Sequence, residues 1–345
     1  MPTPAARLHG QAIALTMGEP AGIGGELTLK AWLGRADAVP PFFTIDDPRR
    51  LRALAESLGL AVAIRPIATP ADAPGIFGDA LPVLPLALPA RVTPGHPDPA
   101  NAAAVIESID RAVALAMRGE VAAIVTNPIS KKALYDVGFP DPGHTEYLAR
   151  RSGTALAPVM MLVGGGLRVV PITVHMALRD ALNALTTKLI VATGRTVAEA
   201  LRRDFGVAAP RLAVAGLNPH AGEGATLGTE DRDVIAPAVV ALGALGIAVT
   251  GPHPADTMFH RAARMRYDAA LCAYHDQALI PVKTIAFDEA SNVTLGLPFV
   301  RTSPDHGTAF DIAGQGRADP TSLITSLRLA AALAAQRAKP GPGPL

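Results

Sequence analysis

The apolar residues of this chain follow two rhythms. Short unbroken runs at residues 12–16, 42–45, 121–125, 211–217 and 269–274 read as strands buried on both faces. Between them, apolar positions recur every three or four residues. In residues 99–118, Ala103, Val105, Ile106, Ile109, Val113 and Met117 predict an amphipathic helix. The same reasoning predicts helices beginning at residue 27 and over 48–58, 147–152, 178–203, 231–245 and 320–337. Residues 156–163 and 167–174 predict a hairpin around Gly164-Gly165-Gly166, and 247–251 a short strand. Residues 61–93, rich in Pro and Ala, give no clear pattern. Alternating strands and helices, with continuously apolar strands, predict an α/β fold with mostly parallel sheets. No internal repeat is present.

A chain of 345 residues is long enough for one large or two medium domains with a sizeable core. The formal net charge of +1 carries no signature of nucleic acid or of an acidic membrane surface. Cys272 is the single cysteine, so no internal disulfide forms, which fits a reducing, cytoplasmic setting. No apolar run reaches the roughly 18 residues of a membrane-spanning helix. Residues 1–10 lack the apolar core of a signal peptide and are expected to form a short mobile arm. The tail 339–345, with its alternating Pro and Gly, is expected to be disordered.

The chemistry gathers where strands end. His175, His220 and His275 each stand just past a predicted strand. In open α/β sheets, ligands bind beyond the carboxyl ends of strands, and histidine is the commonest transition-metal ligand. Three histidines with an open coordination position would suit a divalent metal. Loop histidines that only hydrogen-bond satisfy the same spacing. His9, His96, His253 and His260 read as ordinary loop or surface residues. Lys283, Asn292 and Arg301 suit a phosphorylated or carboxylated molecule, since Arg presents a fork to oxyanions and Lys a point charge. Separate surface residues are the alternative. Asp256 reads equally as a base, a partner to a metal ligand, or a helix cap. Residues 18–26 form a glycine-rich loop between strand and helix; Pro20 and the glycine spacing exclude the dinucleotide fingerprint. A tight turn and a ligand loop both remain open for it. Ser130 predicts a helix start, and Lys131 in that first turn opposes the helix dipole.

Seven motifs, spread over nearly the whole chain, resemble the 4-hydroxythreonine-4-phosphate dehydrogenase family of vitamin B6 biosynthesis. They are Gly18-Glu-Pro-Ala-Gly-Ile-Gly24, Gly143-His-Thr-Glu146, Asn218-Pro-His-Ala-Gly-Glu-Gly224, Pro254-Ala-Asp-Thr257, Tyr274-His-Asp-Gln277, Asn292-Val-Thr-Leu-Gly-Leu-Pro298 and Arg301-Thr-Ser-Pro-Asp-His-Gly-Thr-Ala309. The resemblance implies His175, His220 and His275 as ligands of one divalent metal per site, zinc, magnesium or cobalt. It implies His144, Thr145, Lys283, Asn292 and Arg301 as substrate-binding residues. The family takes its third histidine from the partner subunit, which implies a homodimer with shared active sites. A further likeness, to the isocitrate and isopropylmalate dehydrogenases, implies that Gly22, Gly24, His306, Gly307, Thr308, Ala309 and Asp311 hold NAD or NADP. Gly25, Asn127 and Ala177 depart from residues common in the family.

The architecture so implied is two α/β/α lobes with the active site in the cleft between them. Residues 1–135 and 305–345 are expected in the first lobe, and 136–304, with the metal ligands and dimer interface, in the second. The implied reaction is oxidation of 4-phosphooxy-L-threonine to 2-amino-3-oxo-4-phosphooxybutanoate, which decarboxylates to 3-amino-2-oxopropyl phosphate. Lys283 and Asp256 are the candidate proton acceptors. Neither nucleic acid nor membrane is an expected partner. Relatives acting on 4-phospho-erythronate, 4-phospho-threonate or aromatic dicarboxylate dihydrodiols supply alternative substrates. A metal-dependent hydrolase or phosphate-transfer enzyme would use the same histidines and cations, but has no need of the 306–316 loop. A non-catalytic binding protein would have no need to retain every proposed ligand.

Overall fold

A computed structural model of the chain describes residues 10–135, 138, 139, 141, 143–154 and 157–339. The expected arm, and all of the expected tail but residue 339, lie outside these residues. The described chain divides into two compact units, residues 10–158 with 297–339, and residues 159–296.

In the first unit the opening apolar run becomes β1 (Ile13–Thr16), buried throughout. It leads through the glycine-rich loop to α1 (Gly24–Leu33). β2 (Phe42–Asp46) follows, and then α2 (Pro48–Ser57), whose start is set by chemistry the sequence carries. The Asp47 carboxylate accepts the Arg49 N–H at 2.8 Å, and Pro48 occupies a position where no N–H is needed. The unreadable Pro-rich stretch holds two short strands, β3 (Ile64–Pro66) and β4 (Leu81–Pro85), with β3 at the sheet edge, where proline is tolerated. The predicted amphipathic helix is α3 (Ala102–Met117), with Val105, Ile109, Ala112 and Val113 buried. Ser108 sits among them, taking the Met17 N–H at 3.0 Å and donating to the Ile45 carbonyl at 2.9 Å. A polar residue in the middle of an apolar face thus ties α3 to the ends of β1 and β2. β5 (Ile124–Thr126) and α4 (His144–Arg151) complete this part.

The second unit opens with the predicted hairpin, β6 (Val159–Gly164) and β7 (Leu167–Pro171). The stretch expected as one helix breaks into α5 (Leu178–Ala184) and α6 (Thr187–Arg203), because Thr186 is extended and its hydroxyl caps the Leu189 N–H at 3.2 Å. β8 (Arg211–Ala215), α7 (Ala236–Ala244), β9 (Ala248–His253) and β10 (Ala269–Cys272) follow. Next comes α8 (His275–Ala286), which the sequence pattern does not announce because Pro281 lies inside it. β11 (Ser291–Leu295) ends the unit. Its strands run β11-β6-β7-β10-β8-β9, with β6 antiparallel to both its neighbours and the other pairs parallel. Leu162, Val169, Ala270, Cys272, Ala278 and Val282 form its core.

The chain then returns to the first unit as β12 (Arg301–Pro304) and α9 (Thr321–Arg337). The strand order there is β3-β4-β2-β1-β5-β12, parallel at every pair. The division falls at 158/159 and 296/297 instead of the expected 135/136 and 304/305. Two contacts account for the shift. α4 is anchored to α3 by the Tyr147 hydroxyl, which donates to Asp110 at 2.6 Å, and Arg301 pairs in register with Ile124 of β5.

Candidate active site

In the first unit, two of the predicted substrate residues meet. Arg301, at the start of β12, is only 3% exposed, and its guanidinium donates to the Thr126 hydroxyl at 2.6 Å. Burial pulls its pKa down to about 10, with Glu146 opposing, so it remains a cation at neutral pH. His144 lies beside it. Burial, then the charges of Arg301 and Lys131, hold its imidazole well below 6.5, so it is neutral at pH 7. Its Nε2 is buried and has no hydrogen-bond partner among the described residues. His144 and Thr145 occupy the first turn of α4, where the sequence pattern predicts a polar turn before a helix starting at Tyr147. Gly143, the extended residue ahead of that turn, leaves space that a Cβ would share with the Glu146 carboxylate at 3.2 Å and the Lys131 ammonium at 3.6 Å. Two cations, one carboxylate, a neutral imidazole with an unused nitrogen and the N–H groups of a helix start gather here, and helix-start N–H groups and cations are the chemistry that engages anions. Nothing in the sequence pattern points to Thr126 or Glu146, and Lys131 stands out there only by its unfavourable place in a helix dipole. Its helix is a single turn, Lys131–Tyr135, capped by Ser130.

The glycine-rich loop and the 306–311 loop are in direct contact. The Ile23 N–H donates to the Thr308 carbonyl at 3.0 Å, and a Cβ on Gly22 would stand 2.9 Å from that oxygen. Gly18 and Gly24 both pack on Asn127, where a Cβ would lie 2.6 Å and 3.2 Å from its side chain. Asn127 in turn donates to the Thr16 carbonyl and the Thr28 hydroxyl, each at 3.1 Å. These glycines therefore serve close packing of the protein on itself. His306 is held by its Nδ1 against the Gly307 carbonyl at 3.0 Å, and its Nε2 is buried without a partner among the described residues. Ala309 has a left-handed backbone, φ 43°, and Asp311 is exposed. A cavity of about 380 Å³ adjoins Gly22 and Gly314.

In the second unit, His175 and His275 face each other with ring centroids 5.8 Å apart. His275 opens α8, and its Nδ1 is held by the Asp276 carboxylate at 2.8 Å. A carboxylate on one ring nitrogen leaves the other for a metal and raises its basicity. His175 has φ 49° and His220 φ 54°, a costly backbone for residues with a Cβ. His220 is exposed on the segment after β8, and among the described residues no three His, Cys, Asp or Glu side chains are grouped to hold a metal. Two of the three expected ligands are thus brought together in one chain. The donors present, two imidazoles with one carboxylate-oriented ring, fit a zinc- or cobalt-type ion. Lys283 lies two turns further along α8, and with His275 it lines a cavity of about 480 Å³. Its ammonium stands 5.5 Å from the Phe287 ring centroid. Asn292, on β11, leaves a buried Oδ1 without a partner among the described residues. Asp256 is exposed in the turn Ala255–Thr257, which lies against the segment carrying His220 and makes no side-chain cap.

Comparison with known proteins follows the same line. The profile of the pyridoxal phosphate biosynthetic protein PdxA matches residues 38–330. A 4-hydroxythreonine-4-phosphate dehydrogenase from Methylorubrum populi is 58% identical over 93% of this chain and 94% of its own. The crystal structure of the enzyme of that name from Klebsiella pneumoniae superposes with a TM-score of 0.85 at 40% identity, covering 94% of this chain and 99% of that one. A terephthalate 1,2-cis-dihydrodiol dehydrogenase from Burkholderia xenovorans is more distant, with a TM-score of 0.63 at 30% identity over 93% and 98% of the two chains.

Proposed function

This chain belongs to the PdxA family of pyridoxal phosphate biosynthetic proteins, and from that premise we propose that it is a metal-dependent, nicotinamide-dependent dehydrogenase of 4-phosphooxy-L-threonine. The observation that carries this reading is the 58% identity, over 93% of the chain, to an enzyme named for that activity. The oxidation yields 2-amino-3-oxo-4-phosphooxybutanoate. Loss of its carboxylate as carbon dioxide, with a proton taken up at the carbon that carried it, leaves 3-amino-2-oxopropyl phosphate.

Each residue has a task in this reading. Arg301, Lys131, His144 and Thr145 hold an anionic end of the substrate, with Thr126 fixing the plane of the guanidinium. Neutral His144 offers Nε2 as a hydrogen-bond partner without adding a third charge. Asn292 offers its amide to a polar group of the substrate. His175, His220 and His275 would hold the metal, with Asp276 orienting His275. A bound divalent ion supplies a Lewis acid that lowers the pKa of the substrate hydroxyl. His306 to Ala309 and Asp311 would hold a nicotinamide cofactor, which would supply a hydride acceptor; Gly22 brings its loop against Thr308, and Gly24 packs that loop on Asn127. Lys283, which shares a cavity and a helix with His275, would take the hydroxyl proton as its neutral amine, becoming the ammonium. Asp256 is the second candidate for that proton.

The active form in this reading is a homodimer in which a second copy completes each metal site. Among the described residues, two of the three expected ligands, His175 and His275, gather within one chain, which supports it. So does the apolar surface beside them, with Met176, Leu178, Ile280 and Phe287 between 46% and 70% exposed.

The test is NADH formation by purified protein with 4-phosphooxy-L-threonine, before and after a chelator, with zinc, magnesium or cobalt restored. Turnover that stops with chelator and returns with metal is the expected outcome. Turnover indifferent to chelator would remove the metal from the scheme. Turnover with erythronate phosphate, threonate phosphate or an aromatic dihydrodiol instead would move the chain to another substrate, and the dihydrodiol dehydrogenase at 30% identity makes the last worth including.

A further inference from the structure

The segment after β8 winds in the direction that L-residues avoid. His220, Ala221, Glu223 and Ala225 have φ of 54°, 52°, 41° and 76°, and Gly222 and Gly224 between them are also positive. In this region Cβ crowds the following carbonyl, so such a run persists only where its surroundings over-determine it. The surroundings here centre on one carboxylate. Asp231 is 2% exposed. Its Oδ1 accepts the Leu217 N–H at 2.8 Å, and its Oδ2 accepts the Asn218 N–H at 3.0 Å and the Asn218 side-chain amide at 2.9 Å. Glu230 accepts from the same amide at 2.8 Å.

Three glycines make room for this arrangement. A Cβ on Gly216 would stand 2.8 Å from Asp231 Oδ1, one on Gly222 3.3 Å from Oδ2, and one on Gly228 2.7 Å from the Asn218 amide nitrogen. The Gly216 carbonyl also accepts from the Gln277 amide at 2.8 Å, two residues past His275. The chain entering His220 is therefore fixed on one side to Asp231 and on the other to the helix that carries His275.

We propose that Asp231 is a positioning residue, which sets the left-handed backbone of the His220 segment so that this imidazole is presented to a divalent metal. The proposal rests on the reading of His220 as a ligand. A carboxylate is required because all three groups facing it are donors. An amide at 231 would turn one of its own N–H groups toward them.

Cobalt(II) titrated into the full-length protein and followed by its visible absorption tests this. Wild type, His220→Ala, Asp231→Asn and the double variant are compared, with circular dichroism as a check on folding. Asp231→Asn is expected to fold and to bind cobalt roughly 10- to 100-fold more weakly. The double variant is expected to bind no more weakly than His220→Ala alone. Wild-type affinity in Asp231→Asn, or losses that multiply in the double variant, would overturn the proposal. Wild-type affinity in His220→Ala would instead overturn the ligand reading beneath it. If Asp231→Asn does not fold, Asn218→Ala removes only the side chain that Asp231 and Glu230 share. The same pattern of losses is then expected, and its absence counts against Asp231 equally.

Discussion

At the scale of single residues, burial shifts a group's pKa, and residue type decides whether the shift changes its charge at neutral pH. Arg301 and His144 lie side by side, yet burial leaves one charged and the other neutral, because a guanidinium starts six units above an imidazole. This has a consequence for stability. The unfolded imidazole takes a proton near pH 6.5, while the folded one resists it. The folded chain then binds fewer protons, so its stability is full above pH 6.5 and falls as the pH drops below that value. Urea midpoints measured at pH 7.5 and 5.5 should differ more for the wild type than for His144→Gln. An unchanged difference in the variant would show that His144 is not the group responsible.

At the scale of elements, helix starts and loop contacts are set by a few polar atoms. Thr186 alone caps α6, a helix of 17 residues, through the Leu189 N–H. Thr186→Ala should cost about 1 kcal/mol in urea unfolding and leave kinetics unchanged; a cost near zero would mean that the exposed helix end finds water as good a partner. Gly22 is a different case, since its missing side chain lets one loop touch another. Gly22→Ala would drive a methyl against the Thr308 carbonyl, 2.9 Å away. In the proposed enzyme this should raise KM for NAD by about tenfold while KM for the phosphorylated substrate stays near wild type, a separation equivalent to roughly 1.4 kcal/mol. Equal changes in both would assign the loop contact to general packing.

At the scale of the whole molecule, the proposed dimer is the feature with the widest reach. Ile280 and Phe287 are 63% and 70% exposed on and just beyond the helix that carries His275. The proposed dimer would cover these apolar groups. Sedimentation velocity should show a dimer for the wild type and a monomer for the Ile280→Glu, Phe287→Glu double variant, with metal affinity falling together with association. A variant that stays dimeric would place the interface elsewhere. Among the described residues no helix is long and apolar enough to cross a membrane.

The alternation of buried strands and helices is legible along the chain, because apolar periodicity is a local property that each window displays. The sequence also determined the family, because Gly143-His-Thr-Glu146 and Asn218-Pro-His-Ala-Gly-Glu-Gly224 are contiguous motifs. It did not reveal α8, where Pro281 masks the helical pattern, nor β3 and β4, whose prolines hide an edge strand and its neighbour. Tertiary structure alone decided which distant residues meet. Thr126 reaches Arg301 across 175 positions, and Asn127 clamps the loop of Gly18 and Gly24 across about a hundred. Asp231 belongs to the same class, as an acidic residue ahead of a helix that acquires its role only when folding buries it against Leu217 and Asn218. Strand order and burial create those encounters, and neither is written in the spacing of residues along the chain.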